Sequence, residues 1–253
     1  MPRMMTSEVM ETGKIGGMQG FEFSGIRTEH LGATEYTLVT IAVDETGSVY
    51  DFADELRQCL ITAIEACQKS PRSDNLLLRV IKFSNSFENG IEEIHGFKPL
   101  ADIDLQNDYP EFLPGGMTPL FDASFSAIGA TNAFAKKLMD DEYQTNGIVF
   151  IITDGYDNAS TTTPKMVNKE VKKAITGEDI ESLLSILIGI NAMDYRNELE
   201  EFQTEAGIDQ YVDAGEATKD RLAKLADFVS QSISSQSLAL GTGGPSQNIS
   251  ATI

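Results

Sequence analysis

The sequence predicts a doubly wound α/β fold: a mostly parallel sheet with one antiparallel edge strand and helices on both faces. Three observations predict it. Residues 36–43, 75–84, 147–153 and 182–190 are nearly continuous apolar runs, as expected of strands buried on both faces. Between them lie segments whose apolar residues recur at three- and four-residue spacing, the period of amphipathic helices. The two kinds of segment alternate, which is the order that builds a parallel sheet through crossover helices.

Taken in order, residues 1 to about 20 hold five Met and four Gly without periodicity and read as a flexible arm. Phe21 to Ile26 alternates weakly, as a short outer strand would. The run YTLVTIAV, 36–43, is the first buried strand and leads directly into Asp44-Glu45-Thr46-Gly47-Ser48. A helix follows, with Val49, Phe52, Ala53, Leu56, Cys59, Leu60, Ala63, Ile64 and Cys67 on its inner face. The run 75–84 is a second buried strand. Asn85 to Ile103 reads as an edge hairpin turning at Asn89-Gly90. A Pro/Gly-rich loop, 109–123, opens into a helix through Met139, with Leu120, Ser124, Ala127, Ile128, Thr131, Ala135 and Leu138 as its inner stripe. The strand 147–153 ends in Asp154-Gly155-Tyr156-Asp157-Asn158. A helix near 163–176, a strand 182–190, a helix near 195–206, a short strand 209–214 and a helix near 217–237 complete the alternation. In the last helix Leu222, Leu225, Ala226, Phe228, Val229 and Ile233 face inward. The domain is expected over 34–240, between an arm at 1–33 and a disordered tail at 241–253.

Composition narrows the function classes. The chain has 253 residues, with 19 Lys and Arg against 39 Asp and Glu, a formal charge of −20. That argues against nucleic acid or an anionic membrane surface as partner. No apolar run approaches the roughly 18 residues of a membrane span, and the N-terminus has no signal-peptide core. Cys59 and Cys67 stand about 12 Å apart along one helix, too far for a disulfide. Two buried thiols suit a reducing cytoplasm. With only two histidines, His30 and His95, a multi-histidine metal site is excluded; both read as structural or surface residues.

In a doubly wound sheet the ligand site lies beyond the carboxyl ends of the strands. Three segments fall there: Asp44 to Ser48, Gly115-Gly116-Met117-Thr118-Pro119-Leu120, and Thr153-Asp154-Gly155. Asp44, Thr46, Ser48, Thr118 and Asp154 together supply two carboxylates and three hydroxyls. These are hard oxygen ligands, which favour Mg2+, Mn2+ or Ca2+ over Zn2+. The segment resembles the D-x-S-x-S motif of the von Willebrand factor A domain. The threonine of a G-x-T-P-L loop and an aspartate opening D-G match the same family's metal-ion-dependent adhesion site. One departure is Thr46, where the family usually has serine; the hydroxyl is kept. The resemblance spans roughly residues 34–237. It implies that Thr46 and Ser48 ligate the metal directly, and Asp44 and Asp154 directly or through water. Thr118 would bind directly in one conformation and through water in another. It also implies that an open position accepts a carboxylate from a protein partner, and that movement of the Thr118 loop is coupled to the final helix.

The enzymatic rival is a Mg2+-dependent phosphotransferase resembling the haloacid dehalogenases. There Asp44 would be the nucleophile and Asp154 the magnesium ligand. Thr46 stands where that family keeps a general acid, the Asp157-Asn158 order is reversed, and the Gly115–Leu120 loop goes unexplained. Glu45, Tyr50, Met117, Tyr156 and Asp157 are candidates to line the rim, with a plain solvated loop position the alternative for each, and Asp157 and Asn158 are a weaker second-ion pair. The expectation is therefore a cytoplasmic, non-enzymatic, metal-dependent interaction domain. Its partner offers a carboxylate to the cation and is basic or neutral around it.

Overall fold

A computed structural model describes residues 8–16, 20–176 and 180–242. Its strands in chain order are β1 (Met10–Lys14), β2 (Glu22–Ile26), β3 (Glu35–Asp44), β4 (Leu76–Phe83), β5 (Ile91–Pro99), β6 (Gln144–Thr153), β7 (Leu183–Ile190) and β8 (Gln210–Gly215). The helices are α1 (Ala53–Gln68), α2 (Leu120–Asp140), α3 (Pro164–Thr176), α4 (Arg196–Ala206) and α5 (Lys219–Thr242). All eight strands form one sheet in the order β1-β2-β5-β4-β3-β6-β7-β8. From β4 to β8 the strands are mutually parallel. The mixed edge is β5, antiparallel to β4, then β2, parallel to β5, then β1, antiparallel to β2.

Strand alternation divides the core into two layers. Val39, Ile41 and Val43 of β3 point with Ile148, Phe150 and Ile152 of β6 toward α1 and α5. Leu38 and Ala42 point with Val149 and Ile151 toward α2, α3 and α4. Every residue expected on the inner faces of α1, α2 and α5 is buried. On α2 the burial spreads well beyond the stripe, taking in Ala123, Phe125, Ser126 and Ala130. The reason is that α2 is enclosed by the sheet, by α3, and by the β1–β2 pair.

That pair corrects the reading of the N-terminus. Residues 10–14 are a strand rather than an arm, and Ile15 behind them is fully buried. Phe23 packs edge-on against Phe97 and Phe134, which themselves stack at 4.9 Å. Residues 85–103 do not form the expected hairpin by themselves: their one strand, β5, pairs back onto β4, with Asn89 and Gly90 in the connection, both at positive φ. It is not the sheet edge, because β2 docks onto β5. The approach is close enough that a Cβ on Gly96 would lie 2.1 Å from the Ser24 carbonyl oxygen. Gly241 and Thr242, expected in the tail, close α5. Residues 1–7, 17–19 and 243–253 of the expected arm and tail lie outside the described residues. Both cysteines are free and buried on α1. Among the described residues no helix is long and apolar enough to cross a membrane.

Candidate metal centre

β3 and β6 are neighbours in parallel register, with Val43 beside Ile152. Their carboxyl ends therefore finish side by side, and loops 44–48 and 153–158 leave the sheet together. The loop before α2 is stitched onto the first of these by backbone bonds: Gly115 N–H donates to Glu45 O (3.1 Å) and Gly47 N–H to Gly116 O (3.2 Å). The three segments singled out in the sequence thus meet at one point.

All five expected ligands converge there. The Thr46 and Ser48 hydroxyl oxygens are 3.1 Å apart. Ser48 donates to Asp154 Oδ1 at 2.8 Å. The Thr118 hydroxyl reaches Thr46 Oγ1 at 3.5 Å. Asp44 lies beneath, with Oδ1 accepting the Thr46 amide (2.9 Å) and Oδ2 accepting the Thr153 hydroxyl (2.7 Å). Adjacent oxygens around an octahedral Mg2+ with bonds of about 2.0–2.1 Å stand about 3.0 Å apart. The spacing of Thr46, Ser48 and Asp154 matches that edge length, so the donor set fits a small divalent cation. Among the described residues no group of three or more His, Cys, Asp or Glu is placed to hold a metal; this centre relies on hydroxyls.

The electrostatics point the same way. Asp44 is fully buried. Loss of solvent, then the nearby Asp154 charge, pushes its carboxyl up to about 7, against which the bonds from Thr46 and Thr153 pull only partly. Burial also raises Asp154. No Lys or Arg among the described residues pairs with either carboxylate. The nearest cation on the adjacent strand, Lys82, is committed elsewhere: its Nζ lies 2.7 Å from Glu45 and 3.1 Å from Glu92.

Several loop residues have structural duties. Glu45 is buried rather than solvated: besides Lys82 it accepts the Leu113 amide through Oε1. Asp157 is also buried, and its Oδ1 accepts the Phe121 amide at the start of α2 and the Ser160 hydroxyl. It serves as a helix cap, not as half of a second ion site. Asn158 was expected as its partner there. Instead its Oδ1 accepts the Thr118 amide (2.7 Å) while its own N–H donates to Thr118 O (3.0 Å). Asn85 clamps Met117 in the same two-bond manner. These two asparagines fix the Thr118 loop and were not identified as positioning residues from the sequence; their signal was an Asn directly following each strand-end motif. Gly116 makes the turn at φ +75°, where a Cβ would lie 2.4 Å from Asn85 Oδ1. Tyr50, Met117 and Tyr156 are exposed at the rim, as expected. His95 is structural, with Nε2 2.6 Å from the Tyr109 hydroxyl and its pKa lowered to about 4 by burial. His30 is on the surface.

No family model matches the chain, and no curated protein matches it in sequence. Solved structures do match. The SpaC pilus adhesin of Lactobacillus rhamnosus GG, in its open conformation, aligns over 89% of this chain at 11% identity with a TM-score of 0.54. Proximal thread matrix protein 1 of the mussel byssus aligns over 81% at 17% identity with a TM-score of 0.55. The same mussel protein with a zinc-occupied MIDAS motif aligns over 83% at 16% identity with a TM-score of 0.53. The fold is of the von Willebrand factor A type. The chain spans about a third of the adhesin, 34%, and about half of the mussel protein, 47%.

Proposed function

We propose that this chain is a metal-dependent protein-interaction domain. Asp44, Thr46, Ser48, Thr118 and Asp154 would hold a divalent cation whose remaining position takes a carboxylate from a partner protein. The observation that carries this reading is the cluster of hydroxyl and carboxylate oxygens at 2.8–3.5 Å with no protein cation among them. The bound cation would supply a partly neutralised positive charge, because three of its five protein ligands are neutral hydroxyls. A carboxylate ligand is attracted to such a charge far more than to the bare acidic loops. The oxygen set favours Mg2+ or Mn2+, while the zinc-occupied mussel neighbour keeps Zn2+ among the ions to be tested. Burial of Asp44 with both oxygens engaged counts against the phosphotransferase reading, since a nucleophile needs an open line to phosphorus. The two buried free thiols are in keeping with a cytoplasmic setting.

Calorimetric titration with Mg2+, Mn2+, Ca2+ and Zn2+ tests the metal, and pull-down with and without EDTA tests the partner. The wild type should bind one ion and release its partner in EDTA. Asp44→Ala combined with Asp154→Ala should do neither while keeping its circular dichroism spectrum. Partner binding that persists in EDTA would refute the reading.

A further inference from the structure

Arg79 of β4 is the largest fully buried side chain among the described residues. Its Nε donates to Glu93 Oε2 at 2.7 Å and its Nη2 to Ser126 Oγ of α2 at 3.4 Å. Nη1 is buried without a hydrogen-bond partner. Glu93 cannot turn to serve it, because its other oxygen, Oε1, accepts both the amide and the hydroxyl of Ser24. A guanidinium cannot shed a proton to escape this position, and a buried charged donor without an acceptor is costly.

Arg79 lines a cavity of about 280 Å³ between the start of β2, the β4–β5 connection and α2. With Nε and Nη2 committed, Nη1 is the part of the guanidinium left for an occupant. The cavity has three kinds of wall. Arg79 and Ser126 form its polar floor, and both are buried. Phe21, braced edge-on by Phe125 at 5.3 Å, and Ile91 form an apolar side. Glu22, Glu88 and Asn89 also line it and are exposed, so they stand at its mouth. Neither Glu22 nor Glu88 is ion-paired among the described residues. The cavity shares no residue with the metal centre.

We propose that this cavity binds a small zwitterion of the α-amino-acid class, with its carboxylate on Arg79 Nη1 and its ammonium at the glutamate mouth. The charges select that class. Glu93 already neutralises Arg79, so a simple anion gains one donor group and meets the Glu22 and Glu88 carboxylates as it enters. A simple cation leaves Nη1 orphaned and faces the guanidinium. Only a ligand carrying an acceptor and a cationic donor a few atoms apart satisfies both ends. The volume lies at the small end of ligand sites, about 300–1,000 Å³, which leaves room beside Phe21 and Ile91 for a small apolar side chain.

The test is calorimetric titration of the full chain, in EDTA to keep the metal centre out of the signal, with glycine, alanine, valine and leucine. At least one should bind saturably with a Kd of about 1 mM or tighter and shift 15N amide signals of Phe21, Arg79 and Ile91. Its carboxamide, which lacks the carboxylate, and its N-acetyl derivative, which lacks the ammonium, should each bind about tenfold or more weakly, the worth of one hydrogen-bonded charge. Glu22→Gln with Glu88→Gln, both on the surface, should weaken the amino acid about twofold to fivefold and leave the N-acetyl derivative no weaker. Arg79→Met with Glu93→Gln removes both buried charges together and should abolish binding while keeping the circular dichroism spectrum. If that pair does not fold, the two derivatives and the mouth variant still decide. Absence of saturable binding by all four amino acids would mean that water alone serves Nη1 and would overturn the proposal. Equal affinity for the three chemical forms, or amide shifts confined to other parts of the chain, would overturn it too.

Discussion

Replacing Asp44 by Asn separates the two roles of that carboxyl. In the metal-free protein its pKa is raised from 3.8 to about 7 by burial and by Asp154. A raised carboxyl pKa means the folded state holds its proton more tightly than the unfolded chain. The associated stability is fully present below about pH 4 and is lost as pH rises through about 7. At about 1.4 kcal/mol per pH unit, the loss across that window is about 4 kcal/mol. Asn should escape it. Its Oδ1 can still accept the Thr46 amide, and its Nδ2 can donate to Thr153 Oγ1, whose hydroxyl then donates to the Gly155 carbonyl 3.0 Å away. In EDTA at pH 8, Asp44→Asn should therefore be more stable than wild type by about 1–4 kcal/mol, or several degrees in Tm. Added Mg2+ should reverse the ranking. At a hundred times its Kd it adds about 2.7 kcal/mol to the wild type, and little to a variant that has lost the charge beneath the ion. The chain has no Trp, so melts are best followed by circular dichroism or calorimetry. Two results would refute the reasoning: a wild type whose metal-free stability is flat from pH 5 to 8, or equal Mg2+ stabilisation of both proteins.

Because the ion must displace the Asp44 proton, wild-type Mg2+ affinity should rise about tenfold per pH unit below pH 7 and level off above it; a flat calorimetric profile contradicts this. Gly116→Ala forces a left-handed φ and a clash with Asn85, so it should cost at least about 1–2 kcal/mol and weaken metal binding, both readable in melts with and without Mg2+. Asn158→Ala removes the acceptor of the Thr118 amide. It should lower metal affinity about 10–100-fold with a loss of only about 1–3 kcal/mol in EDTA; unchanged affinity would show that Thr118 needs no clamp. Glu93→Gln removes the countercharge of Arg79, whose side chain is fully buried 2.7 Å from Glu93. It should cost about 3–5 kcal/mol, largely recovered when Arg79→Met is added; equal melts of single variant and wild type would show that the ion pair does not hold Arg79.

What could be read from the sequence depended on how local its cause was. The central strands announced themselves because both faces are buried, and α1, α2 and α5 because one face is. The site residues were legible because each follows or precedes a strongly patterned element. β1 was not: Met10–Lys14 has a single large apolar residue, and its strand exists because β2 offers five paired positions. Glu45 read as a solvated acid because its partner, Lys82, lies on the adjacent strand, where register sets Val43 beside Lys82. Asn85 and Asn158 carried no chemistry of their own. Their function appears only when three loops far apart in sequence are laid side by side.

The net charge of −20 is best understood as a filter on the approaching ligand. A purely acidic segment is repelled at long range and attracted only within contact distance of the cation. Basic residues that outnumber the acid in the segment change the sign of the first effect without weakening the second. Added salt should then slow association of a net-basic segment that carries the acid and speed that of an all-acidic one, because screening removes attraction in the first case and repulsion in the second. Opposite salt slopes of the two association rates, at fixed Mg2+, are the kinetic consequence of setting a cation-dependent contact in a chain of charge −20.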